Sequence, residues 1–334
     1  MTTEQPILEV QNLSTSFRTD RGIVTAVDDV SFDLHPGETL GIVGESGCGK
    51  TVTSKSIMRL LPEHLSFHSE ASKVIFRGQN LARMSEKEMR KIRGDQIAMI
   101  FQEPMTSLNP VFTIGWQLDE ALAYHTDLPK SARRDRAAEM LDMVEIPNPR
   151  KRLDEYPHQL SGGMRQRVMI AMALCCEPDV LIADEPTTAL DVTIQAQILR
   201  LMANLKERLN TAIMLITHDL GVVAQVCDRV LVMYAGRVIE EGPVVDLFHQ
   251  PRHPYTRALL ESIPKSGNKQ KGQRLATIPG IVPSLFELPK GCRFQDRCEL
   301  VETRCRDEEP QHEARDLPDH PVRCHFPVSH QEVN

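Results

Sequence analysis

Eight consecutive residues, Gly44-Glu45-Ser46-Gly47-Cys48-Gly49-Lys50-Thr51, match the spacing G-x-x-x-x-G-K-[ST]. The chemistry of that spacing is phosphate binding. Glycines let the backbone wrap tightly, so that successive N–H groups can point at one anion. The N-terminus of a following helix adds a favourable dipole. Lys50 would reach the β- and γ-phosphates, and the Thr51 hydroxyl would ligate Mg²⁺. A chance glycine turn would lack the flanks seen here. Thr39-Leu40-Gly41-Ile42-Val43 reads as a short buried strand, and Val52-Thr53-Ser54-Lys55-Ser56-Ile57-Met58 reads as the start of a helix.

Further groups could complete such a site. Val180-Leu181-Ile182-Ala183-Asp184-Glu185 is an apolar run ending in two carboxylates. A buried strand ending in Asp places that side chain at the carboxyl edge of a sheet, where phosphate loops also lie. Asp184 could hold Mg²⁺ through its water shell. Glu185 could orient or deprotonate an attacking water. The bland alternative is a solvated acidic turn. His218 follows the apolar run 212–216, where it could touch a γ-phosphate or be incidental. Leu160-Ser161-Gly162-Gly163 opens a helical run, with Ser161 a good cap and the glycines exposing backbone N–H groups. As a bare motif it is an ordinary helix start.

Four of the eight cysteines, Cys292, Cys298, Cys305 and Cys324, lie in the last stretch of the chain, spaced C-x5-C-x6-C-x18-C. Four thiolates in a core-poor segment suit an iron–sulfur cluster or a structural zinc, and bound metal would then act as the missing core. Zinc sites more often show short C-x2–4-C pairs, and unpaired free cysteines are the third alternative. Cys48 sits inside the phosphate loop, where oxidation or alkylation could block nucleotide. Cys175, Cys176 and Cys227 have apolar surroundings and read as core.

The elements that must position these groups follow from periodicity. Residues 7–17 read as strand, as do 24–27, 30–34, 74–78 and 97–101. Ser85 with Glu88 marks a capped helix to about residue 93. From about 104 to 176 the pattern is mainly helical, with an amphipathic run over 131–144. The continuous apolar runs 180–183 and 212–216 suit parallel strands covered on both faces. Residues 193–209 read as an amphipathic helix, 230–233 and 237–240 as a hairpin across Ala235-Gly236, and 246–249 and 255–263 as short helices. Residues 265–273 are polar and linker-like, and the following tail is too thinly apolar to build a core alone.

Bulk properties narrow the class. The chain has 334 residues, 41% hydrophobic and 25% charged, as expected of a globular protein of one large or two ordinary domains. A net charge of −7 argues against a general nucleic-acid binder. No apolar run approaches the roughly 20 residues needed to span a bilayer. The first residues lack a basic stretch followed by an apolar one, so no signal peptide is expected.

Taken in order, the phosphate loop, Gln102 after a strand, Leu160-Ser161-Gly162-Gly163, Asp184-Glu185, Ala189-Leu190-Asp191 and His218 resemble the ATPase subunits of ABC transporters over about residues 6–264. The resemblance implies an α/β P-loop NTPase of ABC type: a RecA-like core with an antiparallel β subdomain and a helical subdomain at about 103–176. It implies domains at 1–264 and 265–334, the latter a small Cys-rich extension. It further implies ATP and Mg²⁺ at Gly44, Glu45, Ser46, Gly47, Cys48, Gly49, Lys50 and Thr51, with Thr51, Gln102 and Asp184 serving the metal. Glu185 would be the general base, His218 the γ-phosphate switch, and Gln102 a contact to water and metal. Ser161, Gly162 and Gly163 would complete the ATP site of a partner subunit packed head to tail. Phe17 matches the aromatic residue that stacks on adenine, and could equally be core.

A closer layer is carried by Phe101-Gln102-Glu103-Pro104-Met105-Thr106-Ser107-Leu108-Asn109-Pro110 and His253-Pro254-Tyr255-Thr256-Arg257-Ala258-Leu259-Leu260. These resemble the dipeptide/oligopeptide importer ATPases, nearest to the first, D-type ATPase subunit of bacterial dipeptide permeases. What this implies is import powered at the cytoplasmic face of the bacterial inner membrane. The implied partners are a second, homologous ATPase subunit, two membrane permeases contacting residues 103–130, and a periplasmic peptide-binding protein. The likeness of the tail implies a [4Fe–4S] cluster, with Zn²⁺ the alternative. Nickel, oligopeptide and other small-solute importers would look alike. A soluble ABC ATPase of DNA repair or translation is a rival class, but usually carries two motif sets or a long coiled coil. A metal-binding regulator with a degenerate ATPase half would not keep Glu185 and His218.

Overall fold

The computed structural model describes residues 5–101, 107–188, 191–263, 277–314 and 317–328. Eleven strands occur among them: β1 Leu8–Thr19, β2 Gly22–Leu34, β3 Thr39–Val43, β4 Ser66–His68, β5 Lys73–Phe76, β6 Gln79–Asn80, β7 Ile97–Ile100, β8 Val180–Asp184, β9 Ala212–Ile216, β10 Arg229–Tyr234 and β11 Arg237–Pro243. The chain divides into two units, one of residues 1–9, 33–39 and 75–216, the other of 10–32, 40–74 and 217–334.

In the first unit β7, β8 and β9 form a parallel ladder, Ile97 opposite Val180 and Val180 opposite Ala212. Every residue of β8 and β9 is buried. That is why their sequences are unbroken apolar runs rather than alternating ones. The same unit holds the helices Ile114–His125, Lys130–Met143, Gly162–Leu174 and Val192–Leu209, of which Gly162–Leu174 packs on β7. The capped helix over 86–92 forms as its sequence predicts. Ser85 Oγ accepts from Glu88 N–H at 3.3 Å, and Glu88 Oε2 accepts from Ser85 N–H at 2.7 Å.

In the second unit β3 runs parallel to β10, Leu40 opposite Arg229 and Val43 opposite Val232. β10 turns back into β11 through Ala235 and Gly236, both with positive φ, so the predicted hairpin is present. β1 pairs antiparallel with β4 from Thr15↔His68 to Phe17↔Ser66. Residues 24–27 and 30–34 belong to one long strand rather than two. Asp29 sits inside it at φ 54, its N–H donating to Ser14 Oγ at 2.9 Å and its carboxylate accepting from Asn12 Nδ2 at 2.9 Å. A left-handed residue held by side chains keeps the strand going where the sequence reads as a break.

The C-terminal segment has few buried apolar side chains of its own: Phe294, Cys305, Val322, Cys324 and Val328. It borrows the remainder from β11. Arg323 N–H donates to Ile239 O at 2.7 Å, Glu241 N–H to Pro321 O at 3.0 Å, and Val322 bridges Glu240. The fully buried Glu240 carboxylate accepts from Arg252 N–H (2.6 Å), His253 N–H (2.9 Å) and His320 Nε2–H (2.7 Å). Asp28 binds both Arg237 and Arg293, and those pairs hold its carboxyl below the usual range against the opposing effect of burial. The tail is therefore fastened by main-chain pairing and buried charge more than by oil.

Candidate nucleotide site

β3 delivers the chain into the phosphate loop, and Gly49 releases it into the helix Lys50–Ile57. Gly44 has φ 149 and Gly49 φ 107, values that L side chains rarely adopt. A Cβ at Gly44 would overlap the Met233 carbonyl oxygen, and one at Gly49 would meet Ala26 O at 2.7 Å. Only glycine fits either position. No side chain caps the helix start, the end of a helix whose dipole favours an anion. Lys50 is buried, its Nζ donating to Gly44 O at 2.7 Å and to Glu45 O at 3.1 Å, so the ammonium is held over the loop. The loop is pinned from outside as well. Gly236 N–H donates to Cys48 O at 2.9 Å, and Glu45 N–H to Tyr255 Oη at 2.9 Å. Cys48 is fully buried, and burial pushes its thiol up against the opposing pull of Lys50.

His218 belongs to the same unit as the loop and is exposed. Its neighbour Thr217 donates N–H to Ile42 O at 3.2 Å, one residue before the end of β3. Asp219 then caps the helix Leu220–Val226, accepting from Gly221 N–H and Val222 N–H. Phe17 lies in this unit too, half-buried on β1 opposite Ser66, so it is not a full core residue.

The carboxylates and the Leu-Ser-Gly-Gly stretch lie in the other unit. Asp184 ends β8 and is buried. Glu185 follows at φ 49, a strained value for a residue with a side chain, and its N–H donates to Ile216 O at 2.8 Å. Its carboxylate accepts from Thr188 Oγ1 at 2.9 Å. Ser161 caps the helix Gly162–Leu174 by accepting from Met164 N–H at 3.3 Å. Ser161 and Gly162 are exposed, and a Cβ at Gly162 would meet nothing. That helix start is an open donor surface.

Gln102, Ala189 and Leu190 lie outside the described residues. Of the three cysteines read as core, Cys175 and Cys227 are buried while Cys176 is only half-buried, beside Cys175 at 3.7 Å. The four tail cysteines line one cavity with Phe294, Leu300 and Phe326, and the thiols of Cys292, Cys298 and Cys324 each feel others of the set.

Three contributors were not visible in the sequence as site residues. Gln166 is fully buried and donates through Nε2 to Pro186 O, tying the Leu-Ser-Gly-Gly helix to the turn after Glu185. Tyr255 binds the loop backbone, and Arg297 binds the Glu45 carboxylate at 2.6 Å. Tyr255 stood in a noted motif, but nothing in its spacing pointed at residue 45.

Comparison with known proteins identifies the family. The ABC transporter family matches residues 27–188, and the family described as oligopeptide/dipeptide transporter, C-terminal region, matches residues 239–305. Among solved structures, the dimeric ATP-binding cassette MJ0796 in a post-hydrolysis state with ADP and Pi aligns at TM-score 0.63 and 29% identity. It covers 71% of this chain and 98% of its own. The chain belongs to the ATP-hydrolysing subunits of ABC transporters. Dipeptide transport ATP-binding protein DppD of Bacillus subtilis is 56% identical over 294 residues, 88% of this chain and 87% of the relative. DppD of Escherichia coli is 50% identical over 325 residues, 96% and 97% respectively. Within its class the chain is an ATP-binding subunit of the peptide and dipeptide importers. Among the described residues no helix is long and apolar enough to cross a membrane.

Proposed function

We propose that this ATPase powers dipeptide uptake as one half of a head-to-tail pair with a second, homologous subunit, bound at the cytoplasmic face of the inner membrane to two permeases served by a periplasmic peptide-binding protein. The carrying observation is the open helix start at Ser161 and Gly162, both exposed, with clear space around Gly162. In the pair, the loop 44–51 and Lys50 bind the phosphates, Phe17 stacks on the base, and Ser161, Gly162 and Gly163 close on the partner's ATP. Thr51, Asp184 and Gln102 would hold Mg²⁺, which would supply charge neutralisation for phosphoryl transfer. Glu185 takes a proton from the attacking water, and His218 reports the γ-phosphate. The permeases meet residues 103–130. In support, Phe112 and Trp116 stack at 3.9 Å, with Trp116, Val111 and Phe101 exposed. Glu185→Gln should retain ATP binding, hold the pair closed and abolish turnover. Cells lacking the subunit should lose uptake of labelled dipeptide; loss of Ni²⁺ uptake alone would favour a nickel importer instead.

The division into an ATPase domain, 1–264, and an extension, 265–334, belongs to the same reading. Within the extension, Cys292, Cys298, Cys305 and Cys324 hold a [4Fe–4S] cluster. The support is that all four thiols line one cavity. Burial pushes Cys292 up to about 11 and Cys324 up to about 12, so a thiolate-binding group is what would deprotonate them. Among the described residues no three His, Cys, Asp or Glu are set to share a single metal ion. Iron and sulfide assays with an absorbance band near about 400 nm would establish it. Stoichiometric zinc would refute it.

A further inference from the structure

The turn between two of the tail cysteines reaches the phosphate loop. Arg297, at the end of the turn Gln295–Arg297 and one residue before Cys298, is 7% exposed. Its two terminal nitrogens donate to both oxygens of Glu45, at 2.6 and 3.0 Å. Its Nε donates to Pro279 O at 2.9 Å, which fixes the plane of the guanidinium. Tyr255, whose hydroxyl accepts from Glu45 N–H, and Tyr234 both pack on Phe294, with ring centroids 5.4 and 5.3 Å away. Phe294 itself lines the cysteine cavity. One contiguous set of contacts thus runs from the four thiols to the second residue of the phosphate loop.

Glu45 is a carboxylate within a loop that must accept a polyanion. Unpaired, it would repel the phosphates. A bidentate arginine cancels that charge with fixed geometry. Removing Arg297 leaves the Glu45 carboxylate, 29% exposed, without its counter-charge beside the phosphates, and the loop must rearrange to relieve the repulsion. We propose that Arg297 is a positioning residue for nucleotide: it neutralises Glu45, holds the mouth of the loop, and couples the cysteine-bearing extension to ATP affinity. The proposal rests on the loop as the nucleotide site and is independent of what the cysteines hold.

The coupling is reciprocal by linkage, so nucleotide must steady the turn by the factor by which the turn favours nucleotide. In the full chain, Arg297→Ala should weaken ATP and ADP binding about tenfold, within the usual range for coupled sites. Arg297→Lys should retain part of the affinity. Adding Glu45→Gln to Arg297→Ala should restore most of it, which mere loss of packing would not do. ATP should slow backbone hydrogen exchange over residues 292–298 in the wild type, and do so much less in Arg297→Ala. Equal affinity in wild type and Arg297→Ala overturns the proposal, as does a double variant that binds no better than Arg297→Ala. A wild-type chain that binds no ATP overturns the nucleotide reading of the loop itself, a distinguishable outcome.

Discussion

Glu240 is the place where the tail can be detached by one atom-level change. Its carboxylate is fully buried and takes three donors, Arg252 N–H, His253 N–H and His320 Nε2–H. Glu240→Leu keeps the volume and removes every acceptor. Three buried donors then go unsatisfied, at about 1–3 kcal/mol each. Against this stands relief of the desolvation of a buried carboxylate, which is several kcal/mol. The orphaned donors win, because two of them are backbone amides at the start of the helix Pro254–Glu261, where His253 is the N-cap. The net loss is about 2–5 kcal/mol, the scale seen when one partner of a buried charged network is removed. Glu240→Gln keeps one oxygen but turns an N–H toward donors, and should cost less, about 1–3 kcal/mol. The assay is urea denaturation of the full chain, together with the rate at which a thiol reagent reaches Cys305 and Cys324, both buried. Stability of Glu240→Leu within 0.5 kcal/mol of wild type (about the scatter of neutral surface changes), with unchanged thiol protection, would refute the reasoning.

Gly44→Ala places a Cβ on the Met233 carbonyl at a φ reserved for glycine, and should cost about 2–4 kcal/mol with loss of ATP binding; wild-type affinity by titration calorimetry would contradict the loop geometry. His253 is buried, and burial lowers its pKa from 6.5 to about 4, against a smaller opposing effect of Glu240. Its folded value lies below its unfolded value, so its stabilisation is complete above 6.5 and drains as pH falls toward 4. Between pH 7 and pH 5 the wild type should lose about 2 kcal/mol that His253→Asn does not lose, at about 1.4 kcal/mol per pH unit; parallel pH profiles would show that His253 titrates normally.

What the sequence made legible was local. The phosphate loop, β8 ending in Asp184, the Ser85–Glu88 cap and the Ser161 helix start each depend on neighbours within a few residues. The unread parts are tertiary. The positive φ of Asp29 is enforced by Ser14 and Asn12 from another strand, so no turn signal at 28–29 could reveal an unbroken β2. Cys175 and Cys176 look alike in sequence, yet consecutive residues at a helix end face differently. The tail reads as coreless because its anchors are Glu240, Asp28 and main-chain edges elsewhere, which hydropathy does not register. The contact between Arg297 and Glu45 spans 252 positions and obeys no period.

That span has a consequence for how the protein is made. Ribosomes add roughly 5–20 residues per second, so Arg297 follows Glu45 by about 13–50 s. For that interval the nascent chain carries a phosphate loop whose own carboxylate faces it without a counter-charge. The phosphate loop is thus among the first parts synthesised and among the last to gain its contacts. A chain cut short before the tail has every nucleotide-binding motif and still lacks the arginine that balances Glu45. On the coupling proposed above, completing the tail would tighten ATP binding about tenfold beyond what the motifs alone provide.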